Sequence, residues 1–485
     1  MKKINIYIWV LLFGVLSCSD ELEKVNIDPN SPSSVPLESI FLGVQRDLSH
    51  DFVELTFDIT NKFVNYAENP GGRSWDFFLI DRDDEKVYWD RHFAELRNIN
   101  FILENAKEGQ ENYKGVALVI KSWMYYHLTS LYGDVPFTEG GQGNNDVNQP
   151  KFDSQQTVFE GILADLTEAN TILGTGTSPL NGDFLLGNDI SKWKKFANSL
   201  RLRVLIAQSK KVDPSSALQT IVSNPETYPL MESNADQPAF SYNNEINYPR
   251  NFNTDYTKTH YLVEDLIDTL NDFGDDRVKA FAALDNNNEY SGVAAGEQLE
   301  PLSGTYSGPS DFYYNTNIFV AQAVWMSYAE VQFLLAEAAE KGWISGGTDA
   351  AKAYYANGIK ASYTYYFNKI SEAVGLGVNV PLMSPWSDGY LSTAGVAYTG
   401  TTAEKNALIQ LQKWIALYND FEGYYSWRRT GLPVLTMNPS GANGGIAPKR
   451  FRYPENERIF NTDNYNSAVS AMGGDEWSTL MWILQ

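Results

Sequence analysis

Apolar residues recur at three- and four-residue steps over long stretches of the chain. In residues 85–107 the positions Trp89, Phe93, Leu96 and Leu103 fall on one face of a helix, with polar residues between them. The same spacing predicts helices at 111–132, 154–173, 190–210, 258–271, 326–341, 348–368 and 403–420. Strand patterns are few and short, so the sequence predicts a mainly α protein.

Paired helices joined by short connectors are typical of helical-repeat scaffolds, in which each pair covers its apolar face by stacking on the next. We predict such a scaffold, although no clean internal sequence repeat is present. Ser154 and Ser191 are predicted to cap the helices that follow them. Long irregular segments separate the helices, and we predict that they form a loop-rich ligand-binding subdomain. They span residues 60–84, 133–153, 174–189, 229–256, 282–325, 370–402 and 429–475.

The amino terminus has the pattern of a secreted lipoprotein. Lys2 and Lys3 precede an apolar run at residues 4–16, which is too short to span a bilayer because a helical span needs about 20 residues. Residues 15–18, Val-Leu-Ser-Cys, resemble a bacterial lipobox. The alternative is an ordinary signal peptide with an incidental cysteine. We predict a signal peptide at 1–17, a lipid anchor on Cys18, an acidic and Pro-rich tether at 18–36, and one domain at 37–485.

Charge and composition exclude several classes of protein. The chain carries 60 acidic and 37 basic residues, a formal net charge of −23. Binding of nucleic acid needs basic surface, so no nucleic-acid partner is expected. One cysteine excludes a Cys-rich zinc site, and four histidines leave little material for a His-based one. We therefore expect no metal and no cofactor.

No catalytic motif is present in the sequence. It contains no HExxH zinc motif, no phosphate-binding P-loop and no GxSxG nucleophile elbow. The acidic run Asp81–Glu85 resembles the start of a calcium loop, but Lys86 stands where the turn glycine belongs, so we interpret it as a solvated helix start. We predict that the protein is not an enzyme. A surface hydrolase with scattered acidic residues is the alternative.

Short motifs in a consistent order resemble one family along most of the chain. They are Asp28-Pro29-Asn30, the segment LYGDVPF at 131–137, KWKKFANSLRLR at 192–203, YAEV to AEA at 328–338, QKWIAL at 412–417, WRRTG at 427–431, and Arg452-Tyr453-Pro454. In this order they resemble the SusD/RagB family, and within it the second SusD-like subgroup. These are surface lipoproteins of Bacteroidetes that bind nutrients.

The resemblance implies a fold and a role. The fold is a tetratricopeptide-like scaffold of helix pairs with an irregular half that carries the ligand surface. The role is to hold an oligosaccharide, or sometimes a peptide, above a partner TonB-dependent (SusC-like) outer-membrane transporter and to act as its lid. Localisation at the outer membrane, attached only by the lipid, follows from the same resemblance. A purely structural lid with no ligand site is a further alternative.

The aromatic residues divide into a core set and a loop set. Trp89, Trp123, Trp193 and Trp414 lie on apolar helix faces and are predicted to pack in the core. Trp427, beside two arginines, is predicted to fix structure through stacking and salt bridges. The aromatic residues of the loops remain for ligand contact, because an aromatic plane can cover the apolar face of a sugar ring.

Three loop clusters are the candidate ligand contacts. The first contains Tyr66, Asn69, Arg73, Trp75 and Asp76 around a glycine turn. The second contains Tyr306, Asp311, Phe312 and Tyr313, followed by Tyr314. The third contains Trp386, with Asp388 and Tyr390 nearby. Short polar side chains in these clusters could serve the hydroxyls of a sugar, and the first two clusters are the preferred prediction.

Overall fold

The computed structural model describes residues 35–70, 75–143, 146–243, 246, 249, 259–297, 305–314, 320–436, 438 and 441–485. The predicted signal peptide, Cys18 and nearly all of the tether lie outside these residues and stay predictions. Among the residues that the structure describes, no helix is long and apolar enough to cross a membrane.

The described chain is mainly helical, as predicted. Its α-helices of six or more residues are α1 Leu37–Leu55, α2 Arg82–Asn105, α3 Glu111–Tyr132, α4 Gln155–Ile172, α5 Ile190–Ala207, α6 Ser215–Ser223, α7 Glu264–Phe273, α8 Tyr328–Glu340, α9 Gly347–Gly375, α10 Thr402–Ala416, α11 Phe421–Thr430, α12 Glu455–Phe460 and α13 Thr462–Met472. The strands are β1 Ala67–Glu68, β2 Ala239–Ser241, β3 Tyr261–Leu262 and β4 Gln322–Val324.

Successive helices stack on one another and form the predicted helical-repeat scaffold. Helices α1 to α5 pack in sequence, each against the next, and α8 packs against both α9 and α10. Helix α5 also contacts α8, which joins the two groups. The strands pair as two short antiparallel ribbons, β1 with β3 and β2 with β4. Each ribbon connects residues that are far apart in the sequence.

Local capping explains where several helices begin. Asp81 starts α2 through a capping box with Asp84, which confirms that the acidic run is a helix start. Ser154 caps α4 as predicted, since its hydroxyl accepts the amide of Thr157. The prediction of Ser191 as a cap is wrong. Asp189 caps α5, because its carboxylate reaches the amides of both residues that follow Ile190.

Some helix boundaries differ from the pattern-based prediction. The helix predicted at 258–271 begins at Glu264, because residues 261–262 pair as β3. The segment predicted as irregular at 429–475 contains α12 and α13. Helices α1, α6 and α11 have no counterpart among the predicted segments.

Aromatic residues fill the core between the two groups of helices. Trp123 stacks on Trp325 with ring centroids 4.2 Å apart. The tryptophans predicted to lie in the core, Trp89, Trp123, Trp193 and Trp414, are all at most 4% exposed. This part of the prediction is therefore confirmed.

The family-like motifs form buried ion pairs of the scaffold. Arg203 of α5 pairs with Glu330 of α8, and both side chains are fully buried. Arg429 of α11 reaches Glu337 of α8 through two bonds of 2.7 Å. Trp427 packs partly buried against the core, with the Lys449 ammonium 4.8 Å from its ring centroid, which agrees with the structural role predicted for it. Arg428 beside it stacks on Tyr424 at 4.2 Å.

Candidate functional site

The first and second predicted clusters meet at the ribbon of β1 and β3. Ala67 pairs with Leu262 and Glu68 with Tyr261. The 305–307 segment joins the ribbon, since the Leu262 amide donates to the Ser307 carbonyl. We call the surface formed by the half-buried or exposed residues Asn69, Ser291, Ala294, Glu297, Thr305 and Tyr306 the loop face.

A buried acidic pair lies beneath the loop face. The Gly296 amide donates to both oxygens of Glu68, at 3.0 and 2.9 Å. Asp76 accepts the Asn69 amide at 2.8 Å and pairs with Lys62 at 3.2 Å. Burial, together with the nearby Asp76 carboxylate, raises the pKa of Glu68 to about 8. These groups hold the loops together from below.

Two positions show how closely the loops approach one another. Gly296 has φ +76°, and a Cβ atom on it would clash with the Asn438 side chain. The Asn438 amide donates to the Asp76 carbonyl at 2.7 Å. A left-handed glycine is needed here, because other residues pay a steric cost in that conformation.

The structure places most of the first cluster below this surface. Tyr66 is fully buried, stacks on Trp414 at 5.0 Å and donates its hydroxyl to the Trp414 carbonyl. Trp75 is 8% exposed and packs on Phe63 and Phe451. Both aromatics therefore support the loops from below in this conformation, and their contact with a ligand stays a prediction.

The polar members of the first cluster differ in their placement. Asp76 is buried in its pair with Lys62. Asn69 is half-buried and binds Asp76 through its backbone amide, so its side chain remains a candidate contact. Arg73 lies outside the described residues.

The second cluster divides into an outer and an inner part. Tyr306 is half-buried and packs on Tyr261 at 6.3 Å, at the edge of the loop face. Asp311 is exposed, whereas Phe312 and Tyr313 are only 4% and 6% exposed. Among the aromatics of these two clusters whose side chains the structure describes, Tyr306 is therefore the best placed for a ligand, and it anchors our candidate site.

One residue that the sequence did not single out connects the two clusters. The Tyr418 ring lies 5.5 Å from Tyr66 and 5.9 Å from Tyr313. Tyr418 lies just after α10, which ends at Ala416, whereas the periodicity predicts that the helix continues to residue 420. The column of three tyrosines is a long-range feature that no local motif indicates.

The third cluster forms a patch of its own against α9. Trp386 is half-buried, packs on Tyr363 and Tyr390, and donates its indole N–H to Asp388 at 2.7 Å. Tyr390 donates in turn to the buried Asp275. This patch presents one partly exposed indole, and its ligand role stays a prediction.

An inner cavity of about 70 Å³ lies behind Phe312 and Tyr313. Its other walls come from α1, α9, the α10–α11 connection and the residues around β4. Asp420 lines it, and so do the amides Asn234, Gln237 and Gln322. Sequence reasoning missed these residues, because a single Asp or Gln between helices carries no distinctive pattern.

The described residues offer no cluster suited to a metal. Within them, no group of three or more His, Cys, Asp or Glu side chains could hold an ion.

Two of the histidines are core residues: burial lowers the pKa of His92 to about 3 and that of His127 well below its usual value.

Comparison with known proteins identifies the family. A family model described as "Starch-binding associating with outer membrane", SusD-like_2, matches residues 29–454. A solved SusD homologue from Bacteroides fragilis NCTC 9343 is 27% identical, with a TM-score of 0.78 over 93% of this chain and 100% of that one. A solved chitin-binding protein has the same identity, TM-score and coverage.

A curated relative agrees over a shorter stretch. SusD-like protein P2 of Formosa agariphila is 25% identical over 191 residues, which cover 35% of this chain and 38% of that protein. The aligned stretch is thus well under half of the relative's length. Taken with the helical scaffold described above, these matches show that the chain belongs to the SusD-like family of nutrient- or glycan-binding proteins that associate with the outer membrane.

Proposed function

We propose that this protein is a lipid-anchored, non-enzymatic protein of the cell surface that binds an oligosaccharide. It delivers the sugar to a partner TonB-dependent transporter and closes over that transporter as a lid. The observation that supports this most is the likeness to a chitin-binding protein over 93% of the chain at 27% identity. Capture of a peptide in the same complex is the alternative.

The loop face has the chemistry that sugar binding needs. The Tyr306 ring presents an apolar surface on which the C–H face of a sugar can lie. The half-buried Asn69 offers an amide within the same group of loops, and amides donate to and accept from hydroxyls. Binding of this kind requires no nucleophile or general base, which agrees with the lack of a catalytic motif.

We expect Tyr306→Ala to weaken glycan retention about fivefold, because an aromatic contact contributes about 1 kcal/mol beyond the area it buries. The measurement is affinity gel electrophoresis of the purified full chain in detergent, on gels that contain starch, soluble chitin derivatives or other glycans. Tyr354→Ala is the matched control, since Tyr354 is a half-buried tyrosine of α9 outside the loop face.

Each result bears on a different part of the proposal. If the unaltered chain migrates freely through every glycan, oligosaccharide binding is wrong, and retention by a peptide mixture would then favour the alternative. If Tyr306→Ala is retained as strongly as the unaltered chain, Tyr306 is not part of the site. Release of shortened glycan by the purified chain would contradict a non-enzymatic role.

We expect Cys18→Ser to release the protein from the outer membrane. A lipidated cysteine with more than one acyl chain anchors a protein stably, whereas a serine cannot receive the lipid. The measurement is fractionation of cells into membrane and soluble fractions, with detection of this chain by immunoblot. Ser17→Ala is the control and should stay in the membrane fraction. Membrane retention of Cys18→Ser would show that another segment holds the protein there.

A further inference from the structure

The inner cavity behind Phe312 and Tyr313 contains a carboxylate with unused hydrogen-bonding capacity. Asp420 is 7% exposed and lines the cavity. One of its oxygens accepts the Glu422 amide at 2.8 Å, as the cap of α11. The other accepts no hydrogen bond from a described residue. A carboxylate oxygen without a partner is open to a donor that enters the cavity.

The neighbouring cations donate no hydrogen bond to the free oxygen of Asp420. Arg203 binds Glu330 through two short bonds and the Trp325 carbonyl through a third, and it donates no hydrogen bond to Asp420. Lys413 is committed to Ser426 and lies 3.6 Å from Glu422. Burial raises the pKa of Asp420 above its usual range, although Arg203 opposes this, and the Glu330 carboxylate raises it further. The side chain thus keeps its proton to a higher pH than an ordinary aspartate, and it can both donate and accept.

The backbone departs from regular geometry on two sides of the cavity. Helix α1 widens into a π-helical turn at Thr56–Thr60, and Thr56 and Phe57 of this turn line the cavity. Across from them Asn419 has φ +64°, a left-handed conformation that is uncommon for a residue other than glycine. Irregularities of this type are frequent at functional sites.

An outer groove of about 360 Å³ lies next to the cavity. Asn234, Gln237, Gln322 and Tyr365 line both spaces, and we infer that the two connect between these side chains, which we call the passage. The Gln237 carbonyl oxygen accepts the Tyr328 amide, and the Asn234 amide nitrogen donates to the Ala361 carbonyl. The Gln237 nitrogen and the Asn234 oxygen make no hydrogen bond to a described residue. The passage therefore offers one free donor and one free acceptor.

We propose that the groove and the cavity form a second ligand site, which binds a single neutral sugar ring with a polar arm of the ring reaching Asp420. The groove has room for one ring, and the cavity has room for a group of a few atoms, since a water molecule occupies about 30 Å³ of liquid. The amides of the passage hydrogen-bond the ring hydroxyls, and the aromatic walls of the cavity, including Phe57 and Tyr313, cover the apolar part of the arm.

A neutral polyhydroxy ligand fits these groups better than a cation does. A metal ion prefers several oxygen ligands together, whereas Asp420 is the one carboxylate among the described residues that line the cavity. The amides of the passage bind hydroxyls equally well as donors and as acceptors. This site is separate from the loop face, and it takes a free monosaccharide or a chain end rather than the middle of an oligosaccharide.

Isothermal titration calorimetry of the full chain in detergent tests the proposal. The probes are free glucose, galactose and N-acetylglucosamine, with calcium chloride and an ammonium salt as cation arms. We expect one of the sugars to bind with Kd about 1 mM, as is usual for a ligand of this size. Asp420→Asn should weaken that binding at least tenfold, because it removes the unused oxygen while an amide oxygen still caps α11.

Two further variants keep the outcome decisive. Ala361→Leu fills the cavity without adding charge, so the fold should persist while sugar binding is lost. Tyr306→Ala should leave monosaccharide binding unchanged. The proposal is overturned if no monosaccharide binds, if binding survives both cavity variants, or if only a cation binds. Oligosaccharide retention without monosaccharide binding would overturn this site and leave the proposed function standing.

Discussion

Replacing Arg203 by methionine is expected to lower the free energy of unfolding by about 3–5 kcal/mol. The guanidinium donates to both oxygens of Glu330, at 2.7 and 2.6 Å, and also to the Trp325 carbonyl. Its removal leaves the Glu330 carboxylate buried without a counter-charge, and such a group is far more costly in the interior than in water. The measurement is the midpoint and slope of urea denaturation.

The double variant Arg203→Met with Glu330→Leu separates charge from packing. Removal of both charges avoids an unpaired carboxylate, so this variant should recover much of the lost stability. Lys369→Met is the matched surface control, since its partner Glu372 is half exposed, and it should change stability by less than about 1 kcal/mol. A single variant as stable as the unaltered chain, or a double variant no better than the single, would contradict this account.

The buried pair explains why two of the sequence motifs are informative about the fold and not about the ligand. Arg203 ends the KWKKFANSLRLR segment, and Glu330 lies in the YAEV segment. Together they join α5 to α8 across the boundary between the two groups of helices. The resemblance therefore predicts the scaffold well, because the residues that carry it hold the scaffold together.

Helix periodicity predicts most of the scaffold, because burial on one face repeats locally. Helix α3 begins and ends where the pattern places it, at Glu111 and Tyr132. Helix periodicity fails where interactions between distant segments determine the local structure. The region 429–475 contains α12 and α13, which the pattern missed. Helix α12 is short and exposed, so it offers no apolar stripe. At β3 a pairing with β1 replaces the helix that the pattern starts before residue 264.

The candidate site was harder to predict, because its geometry depends on long-range contacts. Tyr66 stands among loop residues in the sequence, yet its hydroxyl reaches a carbonyl 348 positions away, at Trp414. Phe312 and Tyr313 lie in one helical turn and face inward, whereas Asp311 of the same turn is exposed. The sequence shows that these loops are rich in aromatic residues. Which of the rings face solvent depends on contacts with residues far away in the sequence, and no local pattern reveals those contacts.

Beneath the loop face lies a titratable group whose ionisation opposes folding. Glu68 is 2% exposed, and its pKa in the folded chain is about 8, against about 4.5 in an unfolded one. Between these two values the folded state holds a proton that the unfolded state has released. The free energy of unfolding therefore falls as the pH rises through this window.

Glu68→Gln should remove this dependence, because glutamine resembles the protonated side chain and retains an oxygen for the Gly296 amide. We expect the variant and the unaltered chain to be equally stable near pH 4.5. By pH 8 the variant should be more stable by about 2–4 kcal/mol, since one proton contributes about 1.4 kcal/mol per pH unit. The measurement is urea denaturation at half-unit steps between pH 4.5 and 8.5.

The test uses the difference in the free energy of unfolding between Glu68→Gln and the unaltered chain at each pH, rather than either value alone. Other buried acids also titrate in this range, such as Glu85 with its pKa raised to about 7 by burial, but they are common to both chains and cancel in the difference. Glu297→Gln, which changes an exposed neighbour of Gly296, should follow the unaltered chain throughout. A Glu68→Gln variant that is equally destabilised at every pH would mean that Glu68 acts only through its hydrogen bonds. If the difference in the free energy of unfolding between the variant and the unaltered chain grows with pH, Glu68 binds its proton in the folded state. The folded structure beneath the loop face would then become less stable as the pH rises.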